Sequence, residues 1–208
     1  NDGKGGFREV ATQQGLTYPS QPMGANFGDL DNDGDIDVYF PNADQRNRLI
    51  RNDLHETGAA QFTDITIASG TGDMGGARGC TMADYDNDGY LDIYVNNGGL
   101  SNVLFNDITD PDFSPFVQFY VAVEPGHNVL YRNNGDGTFS DVTRGSGLDV
   151  PLYGMGGAAA DFDNDGHVDV YLTALGPNRL LKGRGDGTFV DVTTAAGVGD
   201  PGFSTAAL

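Results

Sequence analysis

The sequence predicts an all-β chain, a β-propeller segment of four-stranded blades. Three observations lead there. A nine-residue acidic pattern starts at Asp29, Asp84 and Asp161, so its copies lie 55 and 77 residues apart. The same short apolar segments follow each copy in the same order. Gly supplies 32 of 208 residues and Pro another 9, so turns are many and long helices few.

Each repeat reads as four strands. A small-residue stretch comes first: Met23-Gly24-Ala25, Met74-Gly75-Gly76-Ala77 and Met155-Gly156-Gly157-Ala158. Small residues fit the innermost strand, where blades converge. The acidic loop follows: Asp29-Leu30-Asp31-Asn32-Asp33-Gly34-Asp35-Ile36-Asp37, then Asp84-Tyr85-Asp86-Asn87-Asp88-Gly89-Tyr90-Leu91-Asp92, then Asp161-Phe162-Asp163-Asn164-Asp165-Gly166-His167-Val168-Asp169. An apolar triplet centred on Tyr39, Tyr94 or Tyr171 makes the second strand. An Asn-led segment from Asn47, Asn128 or Asn178 makes the third. The fourth reads Phe-x-Asp-(Val/Ile)-Thr, from Phe62 to Thr66, Phe139 to Thr143 and Phe189 to Thr193. Gly-Asp-Gly at 135–137 and 185–187 marks hairpins between the last two strands.

The expected organisation is one propeller segment over 1–208. Its blades cover 17–66, 72–143 and 150–193, with partial blades at 1–16 and 197–208 and an insert near 107–126. Three full blades fall short of the roughly four to eight that close a ring. A longer parent chain or partner chains are therefore expected to complete the array.

Asp and Glu total 30 against 11 Lys and Arg, a net charge of −19. Of these acids 27 are Asp and 3 are Glu, which suggests carboxylates wanted on short stems in turns. The balance excludes nucleic acid as a partner, because phosphate binding needs clustered Lys and Arg. No apolar run is long enough to span a bilayer as a helix. Cys80 is the only cysteine, so no intrachain disulfide and no cysteine-based zinc site can form.

Each loop offers carboxylates on alternating residues, a Gly for a sharp turn, and oxygen donors alone. Hard oxygen ligands select Ca²⁺ over zinc or copper, and a wrapped multi-carboxylate loop suits Ca²⁺ better than the strict octahedron of Mg²⁺. Positions 1, 3, 5 and 9 would give side-chain oxygens. Position 7 varies freely (Asp35, Tyr90, His167), as expected if it gives only its backbone carbonyl. An EF-hand is rejected, because position 12 is Phe40, Val95 or Leu172 inside an alternating strand instead of a Glu before a helix. The alternative is an acidic turn without a metal. Carboxylates about 4 Å apart repel by ~4 kcal/mol at an effective dielectric near 20, and a cation offsets this.

These residues resemble the FG-GAP/VCBS repeats, found in the integrin α-subunit propeller and in secreted proteins of the ASPIC/UnbV-associated group. The resemblance rests on Asp-x-Asp-Asn-Asp-Gly-x-x-Asp followed by Val-Tyr or Ile-Tyr, with Asn-x-Leu and Gly-Asp-Gly-x-Phe-x-Asp-Val-Thr between loops. It covers nearly the whole chain except the insert. It implies a propeller with calcium-binding loops between first and second strands, placed extracellularly, at a cell surface or in a periplasm. Three Ca²⁺ sites are implied: Asp29, Asp31, Asp33, Asp35 and Asp37; Asp84, Asp86, Asp88, Tyr90 and Asp92; Asp161, Asp163, Asp165, His167 and Asp169. The family includes adhesion proteins, lectin-like modules and a few polysaccharide-cleaving enzymes. The expected role is structural, adhesive or protein- and carbohydrate-binding. The alternatives are part of a secreted polysaccharide-degrading enzyme or a subunit of a larger extracellular assembly.

Arg184-Gly185-Asp186 spells an integrin-ligand tripeptide, but it aligns with Asn134-Gly135-Asp136, so a hairpin turn is favoured. Cys80 is expected to be a small core residue. His55, His127 and His167 pair with no repeated Ser or Cys, so no residue is assigned a catalytic role. The insert from Phe113 to Val123 holds four aromatics in eleven residues. It is an extra strand packed on its own blade or a protein-contact surface.

Overall fold

A computed structural model describes residues 3–17, 22–43, 45–98 and 127–205. Its strands are β1 (Asn26–Gly28), β2 (Asp37–Phe40), β3 (Arg48–Asn52), β4 (Phe62–Asp64), β5 (Ala77–Ala83), β6 (Asp92–Asn97), β7 (Val129–Asn133), β8 (Phe139–Asp141), β9 (Gly154–Ala160), β10 (Asp169–Ala174), β11 (Arg179–Gly183) and β12 (Phe189–Asp191). They form three four-stranded sheets, β1-β2-β3-β4, β5-β6-β7-β8 and β9-β10-β11-β12, each antiparallel throughout. The all-β reading holds, and the described residues form a propeller-like segment. Among the described residues helix is confined to single turns: α1 (Leu54–Thr57), α2 (Thr66–Ser69) and α3 (Thr193–Ala196). The insert, with Phe113 to Val123, lies outside the described residues.

Two sequence expectations need correction. The small-residue stretch lies within the first strand only in the third blade. In the first blade it precedes β1, and in the second only Ala77 belongs to β5. The first blade's ladder is short because β2 ends at Phe40 and the next residue, Pro41, has no N–H to donate. The Phe-x-Asp-Val-Thr segment is also strand for only three residues. There the Asp turns the chain by accepting the backbone N–H of the Thr two residues on, as in Asp64–Thr66, Asp141–Thr143 and Asp191–Thr193, at 2.9–3.0 Å. Each Thr hydroxyl then accepts from the third strand, at Leu49, Leu130 and Leu180, all 2.9 Å. The motif is a bracket that ends the fourth strand against the third.

The core lies between blades more than within them. One buried cluster joins Leu30, Tyr39 and Leu49 to Ile93, Val95 and Tyr131 across the first interface. A second joins Tyr85, Tyr94 and Leu130 to Leu172, Leu181 and Phe189 across the next. Tyr85 and Phe189 meet edge to face, with centroids 5.7 Å apart. Each strand-two Tyr donates its hydroxyl to a carbonyl in the segment leading out of its blade, Tyr39 to Thr71, Tyr94 to Leu148 and Tyr171 to Val198.

Glycine is required where consecutive blades touch. Gly15, Gly70 and Gly147 have φ of +81°, +81° and +87°, and a Cβ there would lie 2.6, 3.4 and 2.3 Å from the carbonyl oxygens of Phe62, Phe139 and Phe189. Each is the turn glycine of one repeat facing the fourth strand of the following one; Gly15 and Gly147 are pressed against it, while at Gly70 the left-handed backbone alone selects glycine. Gly197, the corresponding turn residue after α3, has nothing within 4 Å.

Candidate metal centres

The three acidic loops share one backbone design. The first Asp accepts two backbone N–H groups, from positions 5 and 6: Asp29 from Asp33 and Gly34, Asp84 from Asp88 and Gly89, Asp161 from Asp165 and Gly166, all at 2.9–3.1 Å. Position 5 accepts the N–H of position 7, so Asp33 holds Asp35, Asp88 holds Tyr90 and Asp165 holds His167. Both folds need left-handed backbone. Asn32, Asn87 and Asn164 each sit at φ +59°, and Gly34, Gly89 and Gly166 at +95°, +94° and +89°. Asn tolerates that region and Gly enters it without strain, which explains the Asn-Asp-Gly of every copy.

The ninth residue ties each loop to the sheet. Asp37 accepts from the N–H groups of Leu30 and Asn52, Asp92 from Tyr85 and Asn133, and Asp169 from Phe162 and Gly183, at 2.8–3.0 Å. Asp37 and Asp92 are almost wholly buried. Burial pushes the Asp37 carboxyl up to about 6 and the Asp92 carboxyl up to about 7, against the backbone N–H groups that favour ionisation. Asp31 and Asp86 are raised too, first by burial and then by the charges of Asp33 and Asp88.

Carboxylate oxygens within 4.8 Å of one another come from Asp29, Asp31 and Asp33 in the first loop, Asp84, Asp86 and Asp92 in the second, and Asp161, Asp163 and Asp169 in the third. Asp88 and Asp165 stand apart from those clusters, and Asp37 is likewise outside the first. A further group in the first loop joins Asp33 and Asp35 to Glu56 on α1. Glu56 carried no repeat signal. In this blade, Asn52-Asp53-Leu54-His55-Glu56 replaces the Gly-Asp-Gly hairpin, and that substitution was the clue available. The backbone N–H of His55 also donates to Asp35.

Asp31 Oδ1, Asp33 Oδ2 and Asp86 Oδ1 are buried and accept no hydrogen bond. A buried carboxylate oxygen with no donor is costly unless a cation meets it. The oxygen-only donor set and these orphaned atoms fit a hard divalent ion in the first two loops. The third loop differs, because Lys182 on β11 donates to Asp163 and lies 2.8 Å from Asp165. These two carboxylates hold the ammonium above the usual lysine range.

Neighbouring loops touch. The Asn32 side chain donates to the Gly89 carbonyl, the Asn87 side chain meets His167 Nδ1 at 3.2 Å, and the Asn133 side chain donates to the carbonyls of Leu30 at 2.7 Å and Leu91 at 3.1 Å. Clefts of about 240 and 250 Å³ open beside the first two loops. Each is bordered by the following blade's hairpin, Asp136 to Thr138 or Asp186 to Thr188.

The remaining candidates lie in a turn, a strand and an exposed edge. Arg184-Gly185-Asp186 forms the same turn as 134–136, with Arg184 donating to the Thr188 carbonyl as Asn134 does to Thr138. Cys80 lies in β5 beside the Asn26 amide, and burial pushes its thiol up to about 12, away from thiolate chemistry. His127 lies 3.9 Å from Asp149 on an exposed edge.

Three like sheets, each with the same acidic loop between its first and second strands, define a tandem-repeat propeller-type protein. Comparison with known families agrees: the model of the FG-GAP-like repeat matches residues 1–40, 40–95, 116–172 and 161–208, and the chain belongs to that family. Among curated proteins it is similar to cartilage acidic protein 1 of Mus musculus, 27% identical over 174 residues, and of Homo sapiens, 29% identical over 175 residues. Either alignment covers 83% of this chain. The Xenopus tropicalis protein of that name is 50% identical over 58 residues, 27% of this chain and 9% of the relative. The chain spans about a quarter of the length of the mouse and human relatives (24% and 23%). Among the described residues, no helix is long and apolar enough to cross a membrane.

Proposed function

We propose that the chain is an extracellular calcium-binding repeat module, serving a structural, adhesive or protein- and carbohydrate-binding role, with one Ca²⁺ in each acidic loop. The ligand sets are the five residues at positions 1, 3, 5, 7 and 9 of each copy, with Asp35, Tyr90 and His167 contributing backbone carbonyls. The observation that carries this reading is the orphaned, buried Asp31 Oδ1, Asp33 Oδ2 and Asp86 Oδ1, which a cation would satisfy. Calcium would supply positive charge to a chain of net charge −19 and would tie each loop to the strands it joins. The blades are taken to run over 17–66, 72–143 and 150–193, with the flanking segments belonging to further blades. The relatives' name, cartilage acidic protein, speaks for a matrix setting and matches this chain's acidity.

The test is elemental analysis of protein equilibrated with calcium, paired with thermal melting before and after chelation. Three calcium ions per chain and a lower melting temperature in chelator are expected. An ion bound only by the folded state at 100 times its Kd contributes about 2.7 kcal/mol per site. No bound calcium together with an unchanged melting curve overturns the proposal.

A further inference from the structure

The same position on the third strand carries a cationic side chain in every blade: Arg51 on β3, Arg132 on β7 and Lys182 on β11. The three do different things. Arg51 turns along its own strand end, its Nε 2.8 Å from Asp53, and leaves Asp31 Oδ1 and Asp33 Oδ2 without a donor. Arg132 is exposed, and Asp86 Oδ1 is likewise without a donor. Lys182 reaches into the third loop and holds Asp163 and Asp165 together. These are positions 3 and 5, two of the side chains a metal would need.

We infer that the third loop carries its own cation, and that calcium binds there only by displacing Lys182. This rests on the calcium reading above. An ammonium is a compact point charge with three donors on a flexible four-carbon stem, so it can occupy a cation's place and can also swing away. It cannot stay between the same two carboxylates beside a divalent ion, since the two positive charges repel at that range. The side chains of Lys182, Asp163 and Asp165 keep 35%, 47% and 32% of their surface in solvent. The latch is therefore weak and salt-dependent, and it lowers the third site's affinity without abolishing it. Two exposed ion pairs of ordinary strength correspond to a loss of about 2- to 30-fold. The three loops, alike in motif, thus fill in an order set by a residue outside the motif.

The experiment is calcium titration by calorimetry of the whole chain and of its Lys182→Met and Lys182→Gln variants, at low and high salt. The wild type should show two tight sites and one weaker by about 2- to 30-fold. Both variants should tighten the weak site alone, and raising the salt should narrow the gap in the wild type. The side-chain ¹⁵N signal of Lys182 gives an independent readout, since Lys4 is the only other lysine. It should move as the last equivalent of calcium binds. Three equal wild-type sites, or a Lys182 signal unmoved while three ions bind, would overturn the latch and leave the calcium reading standing. No calcium binding in any of the three proteins would overturn both.

Discussion

Asn133 offers the sharpest test of how the blades are joined. It lies at the end of β7 and is 1% exposed. Its side-chain amide donates to Leu30, inside the first acidic loop, and to Leu91, inside the second. Its carbonyl oxygen accepts the N–H of Gly135 at 3.0 Å. One side chain therefore bonds two loops and a hairpin. Asn133→Ala deletes three hydrogen bonds and strands two carbonyls away from water. Each buried polar group left unsatisfied costs about 1–3 kcal/mol, so the expected loss for two is ~2–6 kcal/mol. At about 2–4 °C per kcal/mol for a chain of this size, that lowers Tm by roughly 4–24 °C. The control is the adjacent Asn134→Ala, which removes exposed side-chain bonds to Thr138 and Ser140 and should cost under about 0.5 kcal/mol. Urea melts of both variants beside the wild type decide the matter. An Asn133→Ala midpoint indistinguishable from that of Asn134→Ala would refute the idea that this amide holds the first two blades together.

Three more outcomes follow from the packing and charge. Phe189→Ala should cost about 3–5 kcal/mol, because the ring is 5% exposed against Tyr85 across the second interface; a loss below about 1 kcal/mol in denaturant melts would contradict an inter-blade core. Gly147→Ala should be far more damaging than Gly197→Ala. At Gly197 the left-handed backbone alone costs about 1–2 kcal/mol, whereas at Gly147 the methyl also meets a carbonyl oxygen at 2.3 Å, and equal effects on soluble yield and melting would argue against the contact. The calcium-free protein should lose on the order of a few kcal/mol as pH rises from 4 to 8. Asp37 and Asp92 hold their protons more tightly folded than unfolded, so their contribution is full below about pH 4 and is lost as pH passes 6 to 7. Denaturant melts across that range check the sign, and apo stability that climbs toward pH 8 would reverse it.

The acidic loop was legible because its chemistry is local. The spacing of the Asp residues, the left-handed Asn and Gly, and the turn formed by Asp and Thr after each Phe all bond within a few residues. Repetition then multiplied the signal. Asp37, Asp92 and Asp169 were legible as acids of the loop. Their backbone bracketing was not, because one of each pair of donors comes from the third strand, 14 to 41 residues away. Asn133 reaches Leu30 across 103 residues, and no spacing rule connects them. Glu56 and Lys182 escaped for the opposite reason. Each departs from the repeat, and a search for sameness passes over the positions where the copies differ. Small residues point to an inner strand but not to where pairing starts, and in the first blade β1 spans only Asn26–Gly28, after the small-residue stretch.

The contact of Gly15, Gly70 and Gly147 with the next repeat's Phe gives the array a direction. Each repeat offers a notch, at the turn after its fourth strand, and a plug, on that strand itself, and the two surfaces are unlike. Such a joint can be copied without being redesigned: a duplicated repeat arrives with a plug for the notch before it and a notch for the plug after it. Repeats can therefore be gained or lost whole during evolution. A substitution that spoils one notch, in contrast, cuts the array at a single seam and leaves every other joint intact.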